Sequence, residues 1–383
     1  MTQGALAWDQ PTAPGPRLAP WVAEFLVTGG ATFLLIPFSL WYQAAAGLED
    51  SEYIVSFAAF YAAYVINDPH FAVSYLLFYK NLPARLWGSE FTGVQRVRYL
   101  VSGFVVPVAL VAWIALALIQ QSAATLGLMI QLMFFLVGWH YVKQGFGVLS
   151  VLSGRKGVRF SSLERRVVLA HCFSGWAYAW SSPREWGGTY EEAGVVYTAL
   201  AHPLWLETLT LTLLIASSAA LLAVVIARLR RGDAFPPLAA SSGFFLSIWL
   251  WTIYSGFDPL IAYLIPGLHS LQYWYFVYLL KKNEAQSQLQ RNGLGASLAS
   301  RLVTFFLLSV GLAWLAFNGI PGFLDGNFVA TTAKMGDDPE VSTISLGVTP
   351  YLAAFGTFIN IHHYFLDHVI WRRENPDMRF LRN

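Results

Sequence analysis

Residues 123–152, AATLGLMIQLMFFLVGWHYVKQGFGVLSVL, carry one formal charge, Lys143, in a run longer than the roughly 20 apolar residues a helix needs to cross a hydrocarbon core. The run marks an integral membrane protein, and it holds His140 and Gln144 well inside the apolar stretch. Working outward, comparable runs fall at about 21–45, 52–79, 97–119, 163–181, 204–228, 238–256, 259–281, 301–319 and 345–371. Together they predict an all-α fold: a polytopic helical bundle of about ten transmembrane helices. The segment 183–203 reads as an interfacial helix or loop, and Asp258-Pro259 as a break between spans.

Composition agrees. Only 12% of the 383 residues are charged, against about 25% in an average soluble domain. A net charge of +2 gives no reason to expect nucleic acid as a partner. The single cysteine, Cys172, excludes an intrachain disulfide, an iron–sulfur cluster and a thiolate zinc site, so any metal must be held by nitrogen and oxygen. Residues 1–20 lack the pattern of a signal peptide and read as a Pro-rich tail, 21–371 as one membrane domain, and 372–383 as a basic C-terminal tail.

Basic residues concentrate in alternate loops: Lys80 to Arg98, Arg155 to Arg166, Arg228 to Arg231, Lys281 to Arg301, and Arg372 to Arg382. The intervening loops carry Glu49, Asp50, Glu52, Glu191, Glu192 and Asp325 among other acids. By the positive-inside rule both termini are cytoplasmic, in a bacterial-type inner (plasma) membrane.

Five histidines sit where hydrocarbon is expected: His70, His140, His269 and the pair His362 and His363. Each lies about 9 to 12 residues from the basic end of its run, which at about 1.5 Å per residue places all five in one layer near the bilayer midplane. Ionisable groups at that depth are costly and mark function. Neighbours one helical turn away supply amides and a carboxylate: Asn67 beside His70, Gln144 beside His140, Gln272 beside His269, and Asn360 and Asp367 beside His363. Such groups orient metal-bound imidazoles. His362 and His363 are about 100° apart on a helix, so one of them is the ligand, and the face shared with Asp367 favours His363. His368 is read as an outer ligand, a snorkelling residue or a proton relay. Lys143 and Asp68 are candidate proton carriers; the alternative for Lys143 is snorkelling to the inner surface.

INDPHF, with Pro69-His70; GWHYVKQ, with Trp139-His140; Pro266-Gly-Leu-His269; and INIHHYFLDH, residues 359–368, make the chain resemble the Brp/Blh β-carotene dioxygenase group of multispan membrane proteins. The resemblance implies non-haem iron held by His70, His140, His269 and His363, without carrying the carotene substrate. This chain departs from that group in its histidine pair on the last span and in lacking glycine after the first Pro-His.

The expected activity is an oxygenase with mononuclear iron, acting on an apolar isoprenoid or acyl lipid that arrives from the membrane lipids, with an electron donor as a further partner. Copper and zinc also suit imidazole ligands. Two other readings stand beside it: a haem-binding electron-transfer protein, which needs only two facing histidines, and a proton-linked transporter using Asp68, Lys143, Asp258 and the histidines.

Overall fold

The computed structural model describes residues 20–89, 91–182, 188–292, 297–329 and 346–381, nearly all of them helical. The Pro-rich tail before residue 20 and most of the acidic segment after Phe328 lie outside the described residues. Among the described residues, five helices are long and apolar enough to cross a membrane: Gly93–Ile119, Ala123–Arg155, Leu204–Arg231, Leu238–Gly256 and Leu298–Phe328. A bent pair, Pro20–Gly30 with Thr32–Ala46, makes a sixth if counted as one span. Its 56° bend follows from Gly29, whose φ of +134° is open only to glycine.

The other expected spans are also helices, but richer in polar side chains. They are Leu48–Ala62 continuing into Asp68–Tyr79, then Ser162–Ser181, Pro259–Asn292 and Pro350–Ile370. Local chemistry sets where helices start. Ser122 Oγ accepts from Thr125 N at 3.1 Å, Ser161 and Glu164 form a reciprocal capping box, and Asp258 Oδ1 accepts from Leu260 N at 3.0 Å. Asp258 is therefore a helix start, at the break expected beside Pro259.

The fold is nearly all-α, and one local expectation is corrected: the region read as an interfacial helix or loop contains a β-hairpin. Thr189–Glu192 pairs antiparallel with Val195–Thr198, and Ala193 and Gly194 both take positive φ in the two-residue turn. The basic C-terminal tail is described up to residue 381. Pro376–Leu381 forms a short 3-10 helix that buries Met378 and Leu381 against Phe78, Tyr99 and Leu280. Arg85 fixes it, donating to Asp377 and to the carbonyls of Leu77 at 2.8 Å and Phe78 at 3.0 Å.

The hairpin closes the opposite end of the bundle. Tyr197 lies against Gly127, where a Cβ would come within 2.4 Å of the Tyr197 Cβ, so only glycine permits this approach. Gln131 ties down the end of the second strand, donating to the Thr198 carbonyl at 3.4 Å and accepting from Leu200 N, just beyond it, at 2.7 Å, and Thr349 Oγ1 donates to the Ala193 carbonyl at 2.7 Å. Along the Pro350–Ile370 helix, the change from the hairpin-side core to the core around the docked C-terminus falls between Tyr364 and Leu366. That is the level of His363.

Candidate metal centre

Four helices bring four imidazoles together. A π-helical turn, Ala63–Asn67, runs directly into Asp68–Tyr79 and presents the Asn67 carbonyl to the His70 ring. Irregular turns of this kind recur at functional sites because they re-aim side chains without ending the helix. His70 Nδ1–H is shared between that carbonyl and Ser270 Oγ, 2.9 Å away, while the Ser270 hydroxyl donates to Pro266 O at 2.7 Å. This fixes the tautomer and leaves His70 Nε2 with its lone pair free.

The four rings form a closed circuit. Centroids stand 4.8 Å apart for His70 and His363, 4.9 Å for His363 and His140, 4.9 Å for His140 and His269, and 5.4 Å for His269 and His70. Interplanar angles of 62° to 88° turn edges, which bear the nitrogens, toward neighbouring rings. His140 Nε2 and His269 Nε2 are 3.2 Å apart. Asp367 adds an oxygen, with Oδ2 3.5 Å from His363 Nε2 and 4.0 Å from His140 Nε2. Ser74 Oγ at 2.6 Å and the Tyr273 hydroxyl at 3.2 Å both donate to its other oxygen.

Donor atoms of His70, His269 and His363 lie within 4.8 Å of one another, as do those of His140, His363 and Asp367. Ligand bonds of about 2.0–2.2 Å put the donors of one ion roughly 3 to 4 Å apart, near the spacing within each group, and the two groups share His363. The polar balance points the same way. His70 Nε2, His269 Nδ1 and both ring nitrogens of His363 are buried without a hydrogen-bond partner. A merely structural buried histidine pairs its nitrogens, because each orphaned polar group costs on the order of 1–3 kcal/mol. The donor set of imidazoles and one carboxylate fits a first-row transition metal and does not suit calcium or magnesium.

No family model, curated protein or solved structure matches this chain.

His362 points away from the centre: Tyr75 hydroxyl donates to its Nδ1 at 3.0 Å and its Nε2–H donates to Ser102 O at 3.0 Å, so both nitrogens are used. His368 sits beside Arg372 and Trp139, outside the group. Lys143 Nζ lies 5.5 Å from the Phe146 ring centroid, and Asp68 accepts from Asn67 Nδ2 at 3.4 Å; neither joins the imidazoles. The amides reach the site indirectly. Gln144 donates to His269 O at 3.1 Å and to Gln272 Oε1 at 2.8 Å, and Gln272 donates to Thr28 O at 2.6 Å, which clamps three segments together. Asn360 Oδ1 accepts from Tyr364, whose ring stacks on His140 at 4.8 Å. Sequence reasoning did not single out Ser74 or Ser270, although Ser74 stands one turn after His70 on the same face.

A cavity of about 480 Å³ reaches this centre. Its inner wall includes His70, His140 and His269 with Tyr141 and Tyr364, and its outer wall includes Gln131, Tyr190, Glu191 and Glu192.

Proposed function

We propose that the chain is a polytopic membrane oxygenase whose non-haem iron is held by His70, His140, His269 and His363, with Asp367 as the adjoining carboxylate. The observation that carries this reading is the convergence of four buried rings, among which His70 Nε2 and the ring nitrogens of His363 have no hydrogen-bond partner. Iron held there supplies the redox chemistry of dioxygen. The chain's own residues do the rest. Asn67 and Ser270 hold the His70 tautomer, Ser74 and Tyr273 hold Asp367 in place, and Phe71, Tyr141 and Tyr364 wall the centre with aromatic surface. An apolar isoprenoid or acyl lipid lies in the aromatic cavity with its reacting carbon beside the imidazoles.

In this reading the remaining helices complete about ten spans, with the basic loops and both termini on the cytoplasmic side of a bacterial-type inner membrane. The resemblance to the Brp/Blh group supports iron over copper and zinc. Edge contacts around the ring circuit, and 3.2 Å between His140 Nε2 and His269 Nε2, leave no slot for a flat macrocycle, which counts against haem. Lys143 and Asp68 stand apart from the centre, which counts against a histidine-linked proton pathway through them.

The reading is tested with purified, iron-loaded protein in lipid nanodiscs given heavy-oxygen-labelled dioxygen and a membrane lipid extract. Label should appear in a lipid-soluble product with wild type and vanish with His140→Ala. Equal labelling by the two proteins would refute it.

A further inference from the structure

Four cations from four segments gather at the basic end of the bundle. Arg98 lies on Gly93–Leu100, Lys143 on Ala123–Arg155, Arg165 on Ser162–Ser181, and Arg372 just after Pro350–Ile370. Lys143 Nζ and Arg165 Cζ stand 5.5 and 5.2 Å from the centroid of the same ring, Phe146. Arg372 is within electrostatic reach of both Lys143 and Arg98, and it donates to the His368 carbonyl at 3.1 Å and to the His368 ring, which packs on Trp139. Arg98 donates to Gln95 Oε1 at 3.5 Å. Other inward-facing cations at this end have an acid: Lys80 and Lys281 meet Glu284, Arg85 meets Asp377, and Arg228 meets Glu164. Among the described residues, no carboxylate forms an ion pair with Arg98, Lys143, Arg165 or Arg372. The acid that bears on Arg372 is the exposed Glu374.

We infer that Arg98, Lys143, Arg165 and Arg372 hold the phosphate head group of an anionic membrane lipid. Partly buried like charges destabilise one another, and a shared anion reverses the sign of that interaction. Guanidinium groups bind phosphate through paired N–H donors and an ammonium binds it as a point charge, so this mixture suits a phosphodiester. Basic pockets between helices at the cytoplasmic surface of a membrane are where such head groups lodge. The neighbouring surface favours a lipid over a soluble anion. In the turns that follow Arg98 toward the membrane interior, Val101, Phe104 and Val105 are 41%, 43% and 59% exposed. Acyl chains running inward from a phosphate at Arg98 would cover that apolar flank, which an inorganic anion leaves bare. The inference stands apart from the oxygenase reading, since none of the four cations belongs to the imidazole centre.

The test uses full-length protein, delipidated in detergent and titrated with dioleoylphosphatidylglycerol, dioleoylphosphatidylcholine or glycerol 3-phosphate, with bound molecules counted by native mass spectrometry. Each basic side chain near an anionic head group contributes about fivefold in affinity, so wild type should prefer phosphatidylglycerol to phosphatidylcholine by about twentyfold or more. Glycerol 3-phosphate, which lacks acyl chains, should bind weakest. Lys143→Gln with Arg372→Gln should bring the preference below about threefold. Lys156→Gln with Arg159→Gln, which removes the same charge from exposed positions in the next loop, should leave it unchanged. Equal binding of the two lipids by wild type overturns the inference without any variant. Equal loss in the two double variants also overturns it, by tracing the preference to overall charge, and glycerol 3-phosphate binding as tightly as phosphatidylglycerol overturns the lipid as occupant.

Discussion

Gln272→Leu separates the two roles that the buried amides could play. Gln272 is fully buried; it accepts from Gln144 at 2.8 Å and donates to the Thr28 carbonyl at 2.6 Å. Leucine keeps most of the volume and removes both bonds. Interhelical hydrogen bonds in membrane proteins average about 0.6 kcal/mol and reach about 1.7, because the unfolded chain in the bilayer also finds partners. Two such bonds give an expected loss of about 1–3 kcal/mol. Gln144 keeps the His269 carbonyl, which holds the figure below the upper end. Gln272→Glu should cost more than leucine, since it places a carboxylate against the Thr28 carbonyl in a buried site. Neither glutamine donates to an imidazole nitrogen, so metal content should stay at the wild-type level after Gln272→Leu. Equilibrium unfolding of nanodisc-extracted protein in mixed detergent with rising dodecyl sulfate, with metal analysis of the same samples, measures both. A Gln272→Leu protein within about 0.5 kcal/mol of wild type, or one that loses its metal while folded, would refute the clamp.

Ser270→Ala removes one of the two acceptors that fix His70, and metal affinity should fall by about tenfold or more in a chelator competition, with the helical circular dichroism unchanged. Gly127→Val drives a side chain into Tyr197 and should destabilise the protein by about 1–3 kcal/mol and expose the hairpin to proteolysis, because the hairpin must lift from the helix. Arg85→Ala leaves the Leu77 and Phe78 carbonyls without their donor and releases the C-terminal helix, so limited proteolysis should clip the chain near Asp377 while the metal is retained.

Much of the centre was legible because histidine is so costly in hydrocarbon that its depth along each run carries information. His70, His140, His269 and His363 are placed together as their matched distances from the basic loops imply. Choosing between His362 and His363 needed only helical phase and the position of Asp367, and the structure turns His363 inward and His362 to Tyr75 and Ser102. Cross-chain partners were not legible. Ser74 and Asp367 are 293 residues apart, and serines occur in apolar helices for many reasons. The amides were visible, but not their partners, since the reach of a glutamine decides whether it meets a ring or the next helix. The hairpin escaped notice because its turn is Ala193-Gly194 instead of the Asn-Gly or Asp-Gly that marks such turns, and because its first strand ends in Glu191-Glu192, leaving only Val195–Thr198 as a β-prone run. Arg372, Arg373 and Arg379 marked a basic C-terminal tail, and no pattern in so short a segment showed that Met378 and Leu381 would be buried.

Metal content of the protein purified in detergent, set beside His362→Ala and His363→Ala, tests the central claim most directly. The account predicts close to one transition-metal ion per chain in wild type, near-complete loss with His363→Ala, and wild-type occupancy with His362→Ala. Metal-free wild type under iron-replete growth, or equal occupancy in the two variants, would contradict it.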